Sequence, residues 1–128
     1  MAEIPSELRY TADHEWAKLT TGNVVRIGIT DYAQNSLGDI VFVSVHGLDS
    51  TVASGETFGE VESTKSVSDL YAPVAGAVVA RNEALDDNPE LLNSDPYGAG
   101  WIAEISVEDI SVLDELLDAE AYRSATAE

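Results

Sequence analysis

The segment ETFGEVESTKSVSDLY, residues 56–71, decides the fold class because it has the pattern of a β-hairpin. Strands are predicted over residues 56–62 and 66–71, joined by a turn at Ser63-Thr64-Lys65-Ser66. Two-residue hairpin turns usually contain Asn-Gly or a similar pair, because the favoured turn types need positive φ angles. This turn has Thr-Lys instead, and a serine at its first position suits a type I turn, which splays the strands. A locally unfavourable turn with a lysine at its tip favours a tip that is kept for Lys65. Lysines on turns are also ordinary, so the turn alone does not decide between a functional lysine and a solvated one.

The same segment differs by one residue from the phosphate-binding pattern G-x-x-x-x-G-K-[ST]. Thr64 stands where that loop has its second glycine, and its Cβ resists the tight backbone that surrounds a phosphate group. Residues 66–71 also run towards Pro73 as a strand, whereas a phosphate-binding loop opens a helix. Glu60 and Glu62 would place negative charge beside the phosphates. We therefore exclude a nucleotide-binding loop.

The length and composition indicate a soluble, globular chain. Its 128 residues are enough for one domain with a modest core, and 45% of them are hydrophobic against 23% charged. No apolar run approaches the roughly 18 residues that a membrane span needs. The start, MAEIPSELRY, has neither a signal-peptide nor a transit-peptide pattern, so a cytoplasmic location is expected.

The charge balance narrows the set of partners. Six basic residues against 24 acidic residues give a net charge of −18. Such a surface repels nucleic-acid phosphates and anionic membranes and favours cationic partners. There are only two lysines, Lys18 and Lys65, which makes a lysine at a hairpin tip more notable. No cysteine is present, so disulfide bonds and thiolate metal sites are excluded.

Turn and capping residues divide the rest of the chain into short elements. Thr30 and Gly38 suit the N-cap and the C-terminus of one short helix, and Asn88-Pro89 suits the start of another. A turn is predicted at Ala75-Gly76, with a positive φ angle at Gly76. Further strands are predicted at residues 15–20, 23–30 (after a turn at Gly22-Asn23), 39–45, 51–53, 75–81 and 100–106.

The C-terminal region has a helical pattern. From about Asp109, leucine and isoleucine recur at helical spacing, which predicts an amphipathic helix that frays after Arg123. Many short strands at regular spacing, with few helices, predict a β-sandwich or barrel with peripheral helices.

Motifs along the whole chain match one protein family in the same order. They are Tyr10, His14-Glu15-Trp16, the segments 27–34 (IGITDYAQ), 37–39 (LGD) and 55–85 around the lysine, 93–98 (NSDPYG) and Gly100-Trp101. With them, residues 8–123 closely resemble the glycine cleavage system H proteins. The resemblance implies a mainly β fold, a barrel-sandwich hybrid of the lipoyl/biotinyl-domain type with short peripheral helices and a C-terminal amphipathic helix. It also implies a single lipoyl-carrier domain over residues 1–128.

The resemblance implies a carrier, not an enzyme. Lys65 occupies the position at which the family bears lipoic acid in amide linkage. Such a carrier receives the aminomethyl group of glycine from a pyridoxal-phosphate glycine decarboxylase and delivers it to a tetrahydrofolate-dependent aminomethyltransferase. Dihydrolipoamide dehydrogenase then takes electrons from the arm, and a lipoate-attaching enzyme installs the group. A monomer that binds neither nucleic acid nor membrane is expected.

The resemblance also implies a partly acidic cleft for the loaded, cationic arm. Glu15 and Asp69 match two of its positions, and Asp13 stands where relatives often have a small hydroxyl residue. His14 is expected to pack or to form a hydrogen bond near this cleft. The Ser44–Gly47 segment departs from the family pattern, and His46 is interpreted as a loop residue. The two histidines lack cysteine partners and the spacing of metal ligands, so no metal site is predicted.

Four other functions share a lysine at this position. A lipoyl domain of a 2-oxo acid dehydrogenase would be shorter and would lack the His14-Glu15-Trp16 lead and the terminal helices. A biotin carrier would normally have methionines beside the lysine, and Met1 is the only methionine. A lipoate relay protein, which donates its lipoyl group to other enzymes, remains the alternative, because the same Lys65 serves both functions. An interaction module with an unmodified Lys65 also stays open.

Overall fold

A computed structural model describes residues 4–45 and 51–126. The described chain contains short strands, four short α-helices and one 3₁₀ helix over Ile110–Glu115. The strands are β1 (Arg9–Tyr10), β2 (Glu15–Leu19), β3 (Val24–Ile29), β4 (Ile40–Val45), β5 (Thr51–Val52), β6 (Thr57–Ser63), β7 (Val67–Tyr71), β8 (Gly76–Arg81) and β9 (Ala103–Ser106). The helices are α1 (Asp31–Leu37), α2 (Ala84–Asp87), α3 (Leu91–Ser94) and α4 (Ala119–Thr126).

Two antiparallel sheets form the framework. The larger has six strands in the order β1-β2-β3-β9-β8-β5, and the smaller has three in the order β4-β6-β7. The main cluster of buried side chains draws on both sheets, for example Ile27 and Ile105 from the larger and Val61 and Leu70 from the smaller. Burying an aliphatic or aromatic side chain fully contributes about 1.5–3 kcal/mol, so this shared cluster holds the sheets together. The arrangement confirms the predicted barrel-sandwich fold with peripheral helices.

A second cluster of buried side chains lies where the N-terminal segment meets α4. Tyr10, Trp16 and Tyr122 are almost completely buried there, together with Leu8 and Ala119. The rings of Tyr10 and Tyr122 stack with their centroids 4.7 Å apart. This cluster fixes the C-terminal helix beside the start of β2.

The helix predicted after Thr30 is confirmed with its caps. The Thr30 hydroxyl accepts a hydrogen bond from the Ala33 N–H, and α1 ends at Gly38, whose φ angle is 82°. The predicted strands from residue 15 to residue 81 are also present, with ends that differ by a residue or two. The last strand is shorter than predicted, because β9 begins at Ala103.

The prediction for Gly76 is wrong. Gly76 is the first residue of β8 and does not have a positive φ angle. A Cβ atom at this position would lie 2.2 Å from the carbonyl oxygen of Ser106 and 2.7 Å from Cγ2 of Ile105. The glycine is therefore required by the close approach of β9, not by a turn.

Two helix predictions also need correction. Asn88 does not cap the start of a helix. It is the C-cap of α2, where its N–H donates to the Ala84 carbonyl, and α3 begins later, at Leu91. The predicted C-terminal helix is divided into the 3₁₀ helix and α4. Between them Leu117 exchanges backbone hydrogen bonds with Tyr10, at 2.7 and 2.9 Å, and this pairing interrupts the helix. The sequence predicts a frayed tail after Arg123, but helix α4 continues past that residue to Thr126.

The described helices are all short. Within residues 4–45 and 51–126, no helix is long and apolar enough to cross a membrane.

Candidate functional site

Lys65 lies at the tip of the β6–β7 hairpin, and Ser63 shapes the turn that presents it. The Ser63 N–H donates to the Ser66 carbonyl at 2.8 Å. The Ser63 side-chain oxygen accepts from the N–H groups of Lys65 and Ser66, at 3.2 and 3.1 Å. Neither Thr64 nor Lys65 has a positive φ angle. The turn is therefore not one of the primed types, as the sequence predicts, and the buried serine supports it from below.

The hairpin tip is attached to the corner between α1 and β4. The Thr64 N–H donates to the Asp39 carbonyl at 3.1 Å. A Cβ atom at Gly38 would lie 3.4 Å from Cε and 4.0 Å from Nζ of Lys65. The lysine side chain thus lies over a glycine, and its ammonium forms no ion pair with a described carboxylate. The residue is exposed to solvent.

Glu15 is a buried carboxyl group that joins the two sheets. It is the first residue of β2, only 3% exposed. Its Oε2 accepts a hydrogen bond of 2.7 Å from the Tyr71 N–H of β7, whereas its buried Oε1 has no partner. Burial raises the pKa of Glu15 to about 8; the Tyr71 N–H acts against this, and the charge of Asp13 adds to it. At neutral pH the carboxyl is therefore mostly protonated.

The other two predicted cleft residues are exposed. Asp69 lies on β7 two residues before Tyr71, so both side chains point to the same face of that strand. Asp13 precedes β2, and its N–H donates to the Thr11 hydroxyl at 3.2 Å. The structure thus places Glu15 in contact with β7 and within the field of Asp13. No hydrogen bond or ion pair among the described residues links Lys65 to any of the three carboxyl groups.

Acidic and apolar side chains share the outer face of the smaller sheet. Glu60 lies directly opposite Asp69 on β7, and Glu62 lies between Phe42 and Val67 on the neighbouring strands. Phe42 is 57% exposed and Val67 is 61% exposed. The outer face of the smaller sheet is therefore acidic and also exposes apolar side chains. The opposed carboxylates of Glu60 and Asp69 carry like charge, and like charges placed opposite each other destabilise a strand pair.

His14 packs and forms a hydrogen bond, as the sequence predicts. Among the described residues it is the one non-glycine residue with a positive φ angle, 68°. Its ring stacks on Tyr32 with the centroids 4.5 Å apart, and Nδ1 shares a 2.8 Å hydrogen bond with the Tyr122 hydroxyl. That hydroxyl also lies 2.8 Å from the hydroxyl of Thr30, the N-cap of α1. Burial lowers the pKa of His14, with Asp13 acting in the opposite direction.

Sequence reasoning missed one residue beside the site, Asn93 of α3. Its side-chain amide donates to the Gly38 carbonyl at 2.8 Å and accepts from the Ile40 N–H at 2.9 Å. Asn93 belongs to the NSDPYG motif, but nothing in a linear motif says which distant backbone it contacts. His46, interpreted as a loop residue, lies outside the described residues.

The other lysine lies in a different surface region. Lys18 and Arg9 line an open groove of about 490 Å³ between the β1–β2 strands and the 3₁₀ helix. Leu19 and Ile110 contribute apolar surface to the same groove. None of the hairpin residues takes part in it, so Lys18 serves as a control for chemistry at Lys65.

Comparisons with known proteins agree on one family. The family model described as Glycine cleavage H-protein matches residues 8–128. The chain is 57% identical to the glycine cleavage system H protein of Mycobacterium bovis (strain BCG / Pasteur 1173P2) over 134 residues, with 100% of both chains covered. It is 56% identical to the protein of the same name from Mycobacterium tuberculosis (strain ATCC 25618 / H37Rv), again with 100% of both chains covered.

A solved structure shows the same fold. The crystal structure of a glycine cleavage system H protein from Mycobacterium marinum matches with a TM-score of 0.88 at 44% sequence identity. The match covers 98% of this chain and 100% of the other.

Proposed function

Because the chain belongs to the glycine cleavage H-protein family, we propose that it carries lipoic acid on Lys65 and shuttles the aminomethyl group of glycine. The observation that carries the proposal is the exposed Lys65 at the tip of a hairpin whose backbone is attached to the α1–β4 corner. The partner reactions are those that the family resemblance implies.

The residues around Lys65 fit a covalently attached acyl group. The amine is exposed and forms no ion pair with a described carboxylate, so acylation breaks no salt bridge of the fold. The neighbouring Gly38 leaves room beside the lysine stem. When attached, lipoic acid would supply a cyclic disulfide that opens as it accepts the aminomethyl group, and the dithiol left after transfer would be reoxidised.

The chain itself supplies position, not catalysis. A rigid hairpin holds the base of a long flexible arm, and attachment to one protein raises the effective concentration of the arm's end in each partner's active site. The partners proposed are glycine decarboxylase, aminomethyltransferase, dihydrolipoamide dehydrogenase and a lipoate-attaching enzyme. The acidic outer face beside the hairpin suits partners with basic surfaces. A cytoplasmic monomer is proposed.

We further propose that Glu15, Asp69 and Asp13 form the cleft for the loaded arm. A cationic amine near Oε1 of Glu15 would give that buried oxygen a hydrogen-bond partner and would favour the ionised carboxyl. Asp69, two residues from the Tyr71 N–H that Glu15 binds, would add negative charge at the mouth. The exposed Asp13 would contribute through its charge alone.

Lys65→Arg tests the attachment residue. The substitution keeps the charge of an exposed side chain, so the melting temperature should stay within a degree or two of wild type, as for most surface changes (about ±0.5 kcal/mol). A guanidinium is not acylated, so the variant should gain no lipoyl mass and should support no glycine decarboxylation. Lys18→Arg is the matched control and should be lipoylated normally. Intact-mass measurement decides the matter, and a lipoyl adduct on Lys65→Arg would contradict the assignment.

The double variant Glu15→Gln, Asp69→Asn tests the cleft. Lipoylation of Lys65 should be unchanged, but the loaded carrier should release ammonia and formaldehyde faster when tetrahydrofolate is absent. A partly buried hydrogen bond to a charged group contributes about 1.5–3 kcal/mol, which predicts a roughly tenfold to hundredfold faster loss. The rate is measured without the transferase at two ionic strengths. Equal rates for wild type and variant would remove these carboxyl groups from the proposal and leave the carrier assignment standing.

A further inference from the structure

We propose that Asn93 is a positioning residue for Lys65, which it orients through the α1–β4 corner; this inference rests on the proposed function of Lys65. Asn93 does not touch the lysine. It holds the backbone on which the hairpin tip and the lysine side chain both lie.

Asn93 binds the corner with all of its side-chain polar atoms. Oδ1 accepts from the Ile40 N–H at 2.9 Å, and Nδ2 donates to the Gly38 carbonyl at 2.8 Å. Nδ2 also donates to Oε1 of Gln34 on α1, at 3.0 Å. Asn93 therefore binds the backbone of the corner on both sides of Asp39.

The corner in turn holds the hairpin tip. Asp39, between the two backbone groups that Asn93 binds, accepts the 3.1 Å hydrogen bond from the Thr64 N–H. Gly38 lies beneath the stem of Lys65. A shift of the corner would thus move the acceptor for Thr64 and the surface beneath the lysine together.

Asn93 is itself held in place by a neighbour in the core. It belongs to α3, and the preceding residue, Leu92, has no exposed surface and belongs to the main core. Asn93 therefore links the α1–β4 corner to the core, in addition to Ile40, which is itself buried in that core.

The turn needs this external support. The turn at Thr64-Lys65 is not of a primed type, so its geometry does not match the twist of the two strands that it joins. A more mobile tip would have to be ordered by the lipoate-attaching enzyme when it binds, which weakens binding without changing the chemical step. Loss of Asn93 should therefore raise KM and leave kcat unchanged.

The chain offers a matched control in Asn82. Its Nδ2 donates to the carbonyls of Ala99 and Trp101, both at 2.7 Å, and its Oδ1 accepts from the Ala84 N–H at 3.2 Å. Asn82→Ala thus removes three side-chain hydrogen bonds, like Asn93→Ala, but at a site that does not hold the hairpin. A general loss of stability would affect both variants alike.

The first measurement is amide hydrogen exchange of full-length, unmodified protein by NMR. In Asn93→Ala the Thr64 amide should exchange about tenfold faster than in wild type, the size expected when a hydrogen bond of ordinary strength is lost. In Asn82→Ala it should exchange at the wild-type rate. A Thr64 amide that exchanges equally in wild type and Asn93→Ala overturns the inference.

The second measurement is lipoylation kinetics with a purified lipoate-attaching enzyme. Asn93→Ala should raise KM for the carrier about fivefold to tenfold at unchanged kcat, matching the looser tip. A KM increase that Asn82→Ala shares equally assigns the effect to general stability and overturns the inference. If Asn93→Ala does not fold, Asn93→Asp replaces it; this variant keeps the acceptor for Ile40, loses both donors, and should show the same changes in exchange and KM.

The two proposals can fail separately. If wild type itself gains no lipoyl group, the proposed function of Lys65 fails, whatever the amide exchange shows. If wild type is lipoylated and Asn93→Ala has wild-type exchange and KM, only the role of Asn93 fails.

Discussion

Glu15→Gln should remove a large part of the pH dependence of folding stability. Glu15 is 3% exposed, one oxygen accepts the Tyr71 N–H, and the other has no partner. Such a group is tolerated while protonated and is costly when ionised, because a buried charge has lost its hydration. Glutamine has the same shape and stays neutral at every pH.

The direction and the size of this pH effect on folding stability follow from the raised pKa of Glu15. The folded protein keeps its proton up to pH about 8, whereas the unfolded chain releases it near the usual value of 4.5. Between these values the folded state binds more protons, so the free energy of unfolding falls as the pH rises. The contribution of protonated Glu15 to the free energy of unfolding is present in full below pH 4.5 and is lost once the pH passes 8. At about 1.36 kcal/mol per pKa unit, the difference is on the order of 5 kcal/mol.

The assay is urea unfolding of wild type and Glu15→Gln between pH 5 and pH 9 at constant ionic strength. Repulsion within a chain of net charge −18 also varies with pH, so the difference between the two proteins is the informative quantity. That difference should move in favour of Glu15→Gln as the pH rises and level off above pH 8. Val41→Ala, an exposed change without a titratable group, should run parallel to wild type.

Two outcomes test the reasoning. Curves of wild type and Glu15→Gln that stay parallel from pH 5 to pH 9 would refute a buried, protonated Glu15. Asp13→Asn provides a second test, since the charge of Asp13 raises the pKa of Glu15. Removing that charge should move the midpoint of the wild-type transition to lower pH.

Two further predictions concern packing and polar contacts. Gly76→Ala should cost at least about 2 kcal/mol, because its Cβ would lie 2.2 Å from the Ser106 carbonyl oxygen and force β8 and β9 apart. Tyr122→Phe should cost about 1–3 kcal/mol, because the hydroxyl that meets His14 Nδ1 and Thr30 Oγ1, each at 2.8 Å, is lost. Both are measured by urea unfolding at pH 7.

Each has a matched control. Gly22 has a φ angle of 54° but open space where a Cβ would lie, so Gly22→Ala should cost only the left-handed backbone strain of about 1–2 kcal/mol. A smaller loss for Gly76→Ala than for Gly22→Ala would contradict the close approach of β9. Tyr32→Phe keeps the ring that stacks on His14 and should be nearly neutral. Equal losses for Tyr122→Phe and Tyr32→Phe would contradict the role of the Tyr122 hydroxyl.

The features that the sequence predicted correctly depend on neighbouring residues. The caps of α1 involve only Thr30 and Gly38, and the side-chain hydrogen bonds that shape the hairpin turn come from Ser63 within it. Local hydrogen bonds and φ preferences act over three or four residues, so a linear pattern contains them. The position of Lys65 at the tip follows from the same local rules.

The features that the sequence missed depend on distant contacts. The sequence predicts a turn at Gly76, but the reason for the glycine is the close approach of β9, about 30 positions further along the chain. The C-terminal pattern predicts one helix, but the backbone pairing of Leu117 with Tyr10 divides it. Family resemblance pointed to Glu15 as a cleft residue, but not to its burial or to its bond with Tyr71 of the other sheet.

The geometry at Lys65 therefore has two separate origins. Ser63 gives the hairpin a tip, because its side-chain oxygen accepts the N–H groups that the turn leaves free. It does not decide where the tip points, because its hydrogen bonds lie within the turn. The direction of the tip comes from the pairing of β6 with β4, which extends to Ser63 opposite Ile40, and from the Thr64 bond to the corner that Asn93 binds. Under the proposed function, these distant contacts supply the fixed base that a lipoyl arm on Lys65 would need.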